Sequence, residues 1–164
     1  MIKIVTGSIL NARENIIGHQ VNCQGVMGAG LALQIKKKYP NVYESYVKLV
    51  NQTKEKYKQG CLQTDSLLSA CQFVDTHDGK TIANIFGQYG YGRGKTQTDY
   101  EALRKGLYSI KEVVTNPYSL LYQKTVALPY GIGCGLAGGK WNIVYNIIDE
   151  VFEDYEVTLY RLAR

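Results

Sequence analysis

The stretch Gly131-Ile-Gly133-Cys-Gly135-Leu-Ala-Gly138-Gly139 limits what this chain can fold into more than any other. It places five glycines in nine residues, directly after the apolar run Thr125-Val-Ala-Leu-Pro129 and before a helical pattern that begins near Trp141. Glycine adds nothing to a core, but it lets backbone amides approach a ligand closely. A strand, a glycine loop and a helix N-terminus in that order make an anion site, because the loop N–H groups and the positive helix end point into the same space. The sequence therefore predicts a phosphate or diphosphate at this loop. The competing possibility, a plain strand-to-helix turn, needs only one or two glycines.

Two more glycine segments follow apolar runs. The strand pattern Ile16–Val21 leads into Asn22-Cys-Gln-Gly25-Val-Met-Gly28-Ala-Gly30, and Thr81–Phe86 leads into Gly87-Gln-Tyr-Gly-Tyr-Gly-Arg-Gly94. Between and around them the pattern alternates. Ile2–Val5 reads as a strand. A helix is expected from Leu31 to Tyr39, stopped by Pro40. Asn41 with Glu44 resembles a capping box that opens a helix reaching about Tyr57, with Tyr43, Tyr46, Val47 and Val50 recurring at helical spacing. Strand-like runs near Leu62–Leu68 and Ala70–Val74 precede a hairpin signal at Asp78-Gly79. Thr98 with Glu101 reads as a second capping box, before a helix whose stripe is Tyr100, Leu103, Leu107, Ile110 and Val114. Asn116-Pro117 breaks that helix. Strand Thr125–Leu128, a helix with Trp141, Val144, Ile148 and Val151 on one face, and a strand from Glu156 to Leu162 complete the order. Strands alternating with helices imply a sheet covered on both faces. If the strands before the glycine segments are parallel neighbours, all three loops emerge at one edge, where open α/β sheets bind ligands. Two anion loops facing each other fit a diphosphate better than a single phosphate.

Bulk properties narrow the class. A length of 164 residues suits one domain, 1–164. The net charge of +5 favours anionic ligands without resembling a nucleic-acid tail. Cys23, Cys61, Cys71 and Cys134 form no C-x-x-C pair, so neither a metal site nor a disulfide framework is expected. The N-terminal Met1-Ile-Lys-Ile-Val reads as a strand rather than a signal peptide, and no apolar stretch approaches transmembrane length, so the expectation is an intracellular, cytoplasmic protein without a membrane partner.

The chemistry is less explicit. No G-x-x-x-x-G-K-[ST] is present, which argues against a P-loop enzyme. Gly133-Cys-Gly135-Leu-Ala-Gly138 matches G-x-G-x-x-G, but a dinucleotide-binding fold would need more strands after it. Cys134 in a phosphate loop suggests a thiol phosphatase, yet no arginine adjoins it to clamp a phosphate, and a small buried cysteine fits better. His19 sits in an apolar strand pattern and reads as a hydrogen-bonded core residue. Asn22 ends a strand and opens a glycine loop; its amide could orient a ribose hydroxyl or a water, or it could simply turn the chain. Gln88, Tyr89, Tyr91 and Arg93 sit on a glycine hinge and are candidates for a lid over the ligand, or for a plain surface loop.

Together, His19-Gln-Val-Asn-Cys-Gln-Gly-Val-Met-Gly-Ala-Gly-Leu-Ala and Leu128-Pro-Tyr-Gly-Ile-Gly-Cys-Gly-Leu-Ala-Gly-Gly-Lys-Trp141 resemble the macrodomain family. The likeness is nearest the branch of terminal ADP-ribose glycohydrolases, bacterial DNA-ADP-ribose hydrolase antitoxins and the yeast ADP-ribose-1″-phosphate phosphatase. That resemblance implies a three-layer α/β/α sandwich around a mixed sheet, with ADP-ribose across the strand ends and no cofactor. It implies that Gly28, Ala29 and Gly30 meet the diphosphate and distal ribose from one side. From the other, Gly131, Ile132, Gly133, Cys134, Gly135 and Leu136 wrap the phosphates. Asn22 would face the distal ribose as the candidate catalytic residue, and Ser8 and Ile9 would lie at the adenine end. The partner would be ADP-ribose or an ADP-ribosylated substrate, with nucleic acid entering only as a modified substrate. The sequence departs from the family pattern at four places. Ser8 stands where an Asp usually accepts from the adenine amino group. Gly87 or Gln88 stands at the glycohydrolase lysine, Ala137 at its acidic partner, and Gly25 at a second Asn of the commoner loop. Two functions follow: a hydrolase of an ADP-ribose derivative, or a non-catalytic reader or scavenger of ADP-ribose.

Overall fold

A computed structural model describes residues 1–60 and 66–163. Six strands, β1 (Ile2–Thr6), β2 (Ile16–Val21), β3 (Cys71–Asp75), β4 (Thr81–Phe86), β5 (Val126–Pro129) and β6 (Val157–Arg161), form one sheet in the order β1-β6-β5-β2-β4-β3. Every pairing is parallel except β3 with β4. That exception is the hairpin signalled by Asp78-Gly79, so the sheet is mixed, as expected. The α-helices of the described residues are α1 (Gly30–Lys38), α2 (Pro40–Lys58), α3 (Tyr100–Thr115) and α4 (Trp141–Val151). Among the described residues no helix is long and apolar enough to cross a membrane.

The two faces of β2 show how the layers form. Ile16 packs with Leu103, Leu107, Ile110, Val144 and Ile148 of α3 and α4, whereas the next residue, Ile17, packs with Ile35 of α1 and Tyr39 and Val42 at the start of α2. Successive strand side chains point to opposite faces, so one β-branched run serves two cores. Of the α3 stripe read from the sequence, Leu103, Leu107, Ile110 and Val114 are all at 0% exposure, and Tyr100 at the helix start is half-buried against the same core. Gly106 lets α3 lie close on β4: a Cβ there would stand 2.5 Å from Ile85 Cγ2.

Three local expectations are corrected. Pro40 both ends α1 and occupies the first turn of α2, whose N-cap is Tyr39 with no side-chain bond. Proline has no N–H to satisfy at that position, so the expected Asn41 box is unnecessary. Asn41 instead donates to the Asp75 carbonyl at 2.9 Å. At α3 the cap is Asp99, which accepts from the Ala102 amide, rather than Thr98. Of the expected Leu62–Leu68 run, 62–65 lie outside the described residues and 66–69 form a turn. After β1 the chain makes a 3-10 turn at Ile9–Asn11, capped by Ser8, which no residue pattern signals.

Candidate functional site

Because β5, β2 and β4 are parallel neighbours, the segments after them, 130–139, 22–29 and 87–99, leave the sheet at the same edge. The chain after β2 passes to α1 on one face, and the chain after β5 passes to α4 on the other. Adjacent parallel strands whose connections diverge to opposite faces open a crevice between them, the place where α/β sheets hold ligands.

The segments that leave at this edge carry amides without a partner. After β5, the amides of Gly133, Gly135, Leu136 and Ala137 make no hydrogen bond among the described residues, while Cys134, Gly138 and Gly139 bond back within the loop. Gly131, Gly133 and Gly138 adopt φ of 81°, 74° and 74°. A Cβ would be strained there, which accounts for the glycine density. After β2, Gly28, Ala29 and Gly30 are exposed. Ala29 is the N-cap of α1 and offers no side-chain bond, so the first turn of that helix keeps its orphan N–H groups and its positive end. Two arrays of donors, one of them a helix N-terminus, suit an anion with more than one phosphoryl group. Ile132 is different: at 3% exposure it anchors the loop in the core, leaving only its backbone to the crevice.

A different environment lies at the opposite edge. A cavity of about 330 Å³ there is lined by Lys3, Glu14, Asp154 and Glu156 among others. Three carboxylates against one lysine repel phosphate, so the glycine edge is the candidate site.

The first glycine segment is held in shape by Asn22 and Tyr46. The Asn22 Oδ1 accepts from the amides of Gln24 (2.9 Å) and Val26 (3.3 Å), and its Nδ2 donates to the Val26 carbonyl at 2.8 Å. The Tyr46 hydroxyl lies 2.8 and 2.7 Å from the Asn22 carbonyl and Oδ1, and accepts from the Gly25 and Val26 amides at 3.1 Å each. Asn22 is 6% exposed. Its carboxamide is therefore committed to turning the chain, the plainer of the two roles open to it from sequence. Tyr46 carries no sequence signal beyond its place in a helical stripe, yet its hydroxyl organises the loop. A Tyr46→Phe variant is expected to keep its helical content and lose about 2 kcal/mol of unfolding free energy, because the buried bonds to Asn22 and the half-buried bonds from the Gly25 and Val26 amides are lost together; urea denaturation followed by circular dichroism measures this.

The other candidates fall around these loops. Ser8 accepts from the Leu10 amide at 3.2 Å, which leaves its O–H and a second lone pair for a ligand. Ile9 is buried in the core on the α1 side and can offer only backbone. Gln88 Oε1 accepts from Gln20 and its Nε2 donates to the Gly90 carbonyl. The Tyr89 carbonyl accepts from the Cys23 amide at 3.0 Å, and its ring is 43% exposed. Both ends of the segment after β4 are pinned: Gln88 pairs with Thr98, and the amides of Gln97 and Thr98 donate to Ala137. Burial pushes the Cys134 thiol up to about 11, so it stays protonated at neutral pH and is no nucleophile. His19 is fully buried, with Nε2 2.6 Å from Asn84 Oδ1, the core role its strand pattern suggested.

Comparison with known proteins assigns the architecture. The family model described as Macro domain matches residues 19–148, most of the chain. This chain is a macrodomain. The bovine protein named ADP-ribose glycohydrolase OARD1 is 33% identical to this macrodomain over 138 residues, covering 83% of this chain and 74% of its own length. The DNA ADP-ribosyl glycohydrolase of Mycobacterium tuberculosis is 29% identical over 165 residues; the alignment covers 98% of this chain but only 42% of that longer protein. The solved macrodomain of Mycobacterium tuberculosis DarG superposes with a TM-score of 0.72 at 27% identity, covering 98% of this chain and 97% of that one.

Proposed function

We propose that this macrodomain binds ADP-ribose across the C-terminal strand edge and hydrolyses a bond at the distal ribose of an ADP-ribose derivative. The observation that carries the proposal is the pair of donor arrays flanking the β2–β5 crevice: the unbonded amides after β5 and the uncapped N-terminus of α1. The diphosphate sits between them, the distal ribose lies toward the segment shaped by Asn22 and Tyr46, and the adenine lies toward Ser8 and Ile9. Relatives named as glycohydrolases support hydrolysis. In that reaction water adds to the ribose carbon, the bond to the leaving group breaks, and the proton ends on the leaving group. The chain's contribution is positioning and exclusion of other geometries, worth several orders of magnitude in well-oriented systems.

One observation favours binding without turnover. The positions where the glycohydrolase pattern carries lysine and an acid hold Gly87 or Gln88, the latter with its amide tied to Gln20 and Gly90, and Ala137, whose carbonyl accepts two amides. Calorimetric titration with ADP-ribose tests binding, and release of phosphate from ADP-ribose-1″-phosphate, or of ADP-ribose from modified DNA or protein, tests chemistry. Binding with turnover on one of these is the expected result. Binding with no turnover on any of them leaves the reader, and absence of binding removes both.

A further inference from the structure

We propose that Gln20 is a positioning residue that makes the segments after β4 and β5 into one preformed phosphate-binding unit. Gln20 points to the α3 side of β2, as Ile16 and Gly18 do. Its Nε2 donates to Gln88 Oε1 and to Thr98 Oγ1, both at 2.9 Å. Thr98 is 6% exposed, and its hydroxyl in turn donates to the Gly133 carbonyl at 2.6 Å, which also accepts from the Gly139 amide at 2.9 Å. One carboxamide thus reaches both loops, directly on the β4 side and through one hydroxyl on the β5 side. The fit around it is close. A Cβ on Gly87 would stand 2.4 Å from Gln20 Oε1, and one on Gly133 would stand 3.1 Å away. Gln20 Oε1 is buried and has no hydrogen-bond partner among the described residues. An acceptor left unpaired carries a free-energy cost, and a native structure keeps such a group when the rest of its network holds something in place.

A loop with five glycines samples many backbone conformations, and ordering it on binding would subtract from affinity. Fixing the Gly133 carbonyl beforehand removes that cost, which is how preorganisation raises affinity. The affinity consequence rests on the proposed ADP-ribose binding; the coupling of the loops does not.

The test uses Gln20→Leu, which keeps the bulk and removes the donors, and Thr98→Val, which cuts the same chain at its second link and serves if the first variant fails to fold. Each is compared with the parent protein at a temperature where circular dichroism shows it fully folded. Hydrogen exchange is read at the amides of 87–99 and of 131–139, and ADP-ribose affinity is read by calorimetry. Exchange that rises in both segments, with affinity weakened on the order of tenfold and no greater loss in the double variant than in the worse single one, is the expected result. Exchange confined to one segment, or affinity unchanged in a folded variant, overturns the proposal; a purely structural role lowers the melting temperature without moving affinity below it. If the parent protein itself fails to bind ADP-ribose, the functional proposal falls and the exchange pattern alone decides the role of Gln20.

Discussion

Replacing Gly135 by Glu is expected to leave the fold intact and to weaken ADP-ribose binding by about two orders of magnitude, the effect of a like charge a few ångströms from a diphosphate in a partly screened site. Gly135 suits this test better than its neighbours. It does not take the left-handed conformation, it is exposed, and nothing lies within 4 Å of a Cβ built on it. A side chain there has open space beside the loop's unbonded amides and does not force the backbone to move. Gly133 does not offer that separation. Its φ is 74°, and a Cβ would press within 3.1 Å of Gln20 and 3.2 Å of Thr98, so Gly133→Glu combines charge with strain. Gly135→Gln supplies the neutral control and is expected to lose far less. Because the repulsion is electrostatic, part of the Glu defect is expected to recover at high salt. A folded Gly135→Glu protein that binds ADP-ribose as the parent does would remove the β5 loop from the site.

The glycine loops were legible in the sequence because their signal is local. Five glycines behind the apolar run before Gly131 have no use in a core, and the order of elements placed them at one strand edge. The residues that give those loops their shape were not legible, because their roles arise only when distant segments meet. Gln20 meets Thr98 across 78 positions, and Tyr46 meets Asn22 across 24. In the sequence Tyr46 is one apolar tooth of a helix and Thr98 looks like a cap. The cap lies one residue further on, because the hydroxyl that would cap α3 is held by Gly133 and the adjacent carboxylate of Asp99 takes its place. Asn22 shows the same limit from the other side. Its residue type suits ribose contacts and turns equally, and only the neighbouring amides and the Tyr46 hydroxyl reveal that the turn claims it.

His19 is expected to make the protein lose about 3 kcal/mol of stability between pH 6.5 and pH 4, the free-energy equivalent of its displaced pKa. It is 2% exposed, in the middle of the central strand β2. Burial holds its imidazole at about 4 instead of 6.5, although the bond to Asn84 partly opposes the shift. Asn84 in turn donates to Gln72 at 3.0 Å, and Gln72 to the Ser45 carbonyl, so the surroundings are neutral amides that offer a cation no countercharge. The His19 Nδ1 has no partner among the described residues. The native state therefore keeps the ring neutral, while the unfolded chain takes up a proton as pH falls through 6.5. The loss begins there, grows toward pH 4, and stops once the folded ring is also protonated. Asp78 and Asp154 have carboxyls held below their ordinary 3.8, by Thr76 and Lys111 respectively, so their contributions persist through this window and disappear only in stronger acid. Urea unfolding at pH 7.5, 5.5 and 4.5 should show the decline, and His19→Gln, which keeps a hydrogen-bonding side chain but cannot titrate, should flatten it whatever its stability at neutral pH. A slope unchanged in that variant would place the acid-sensitive group elsewhere.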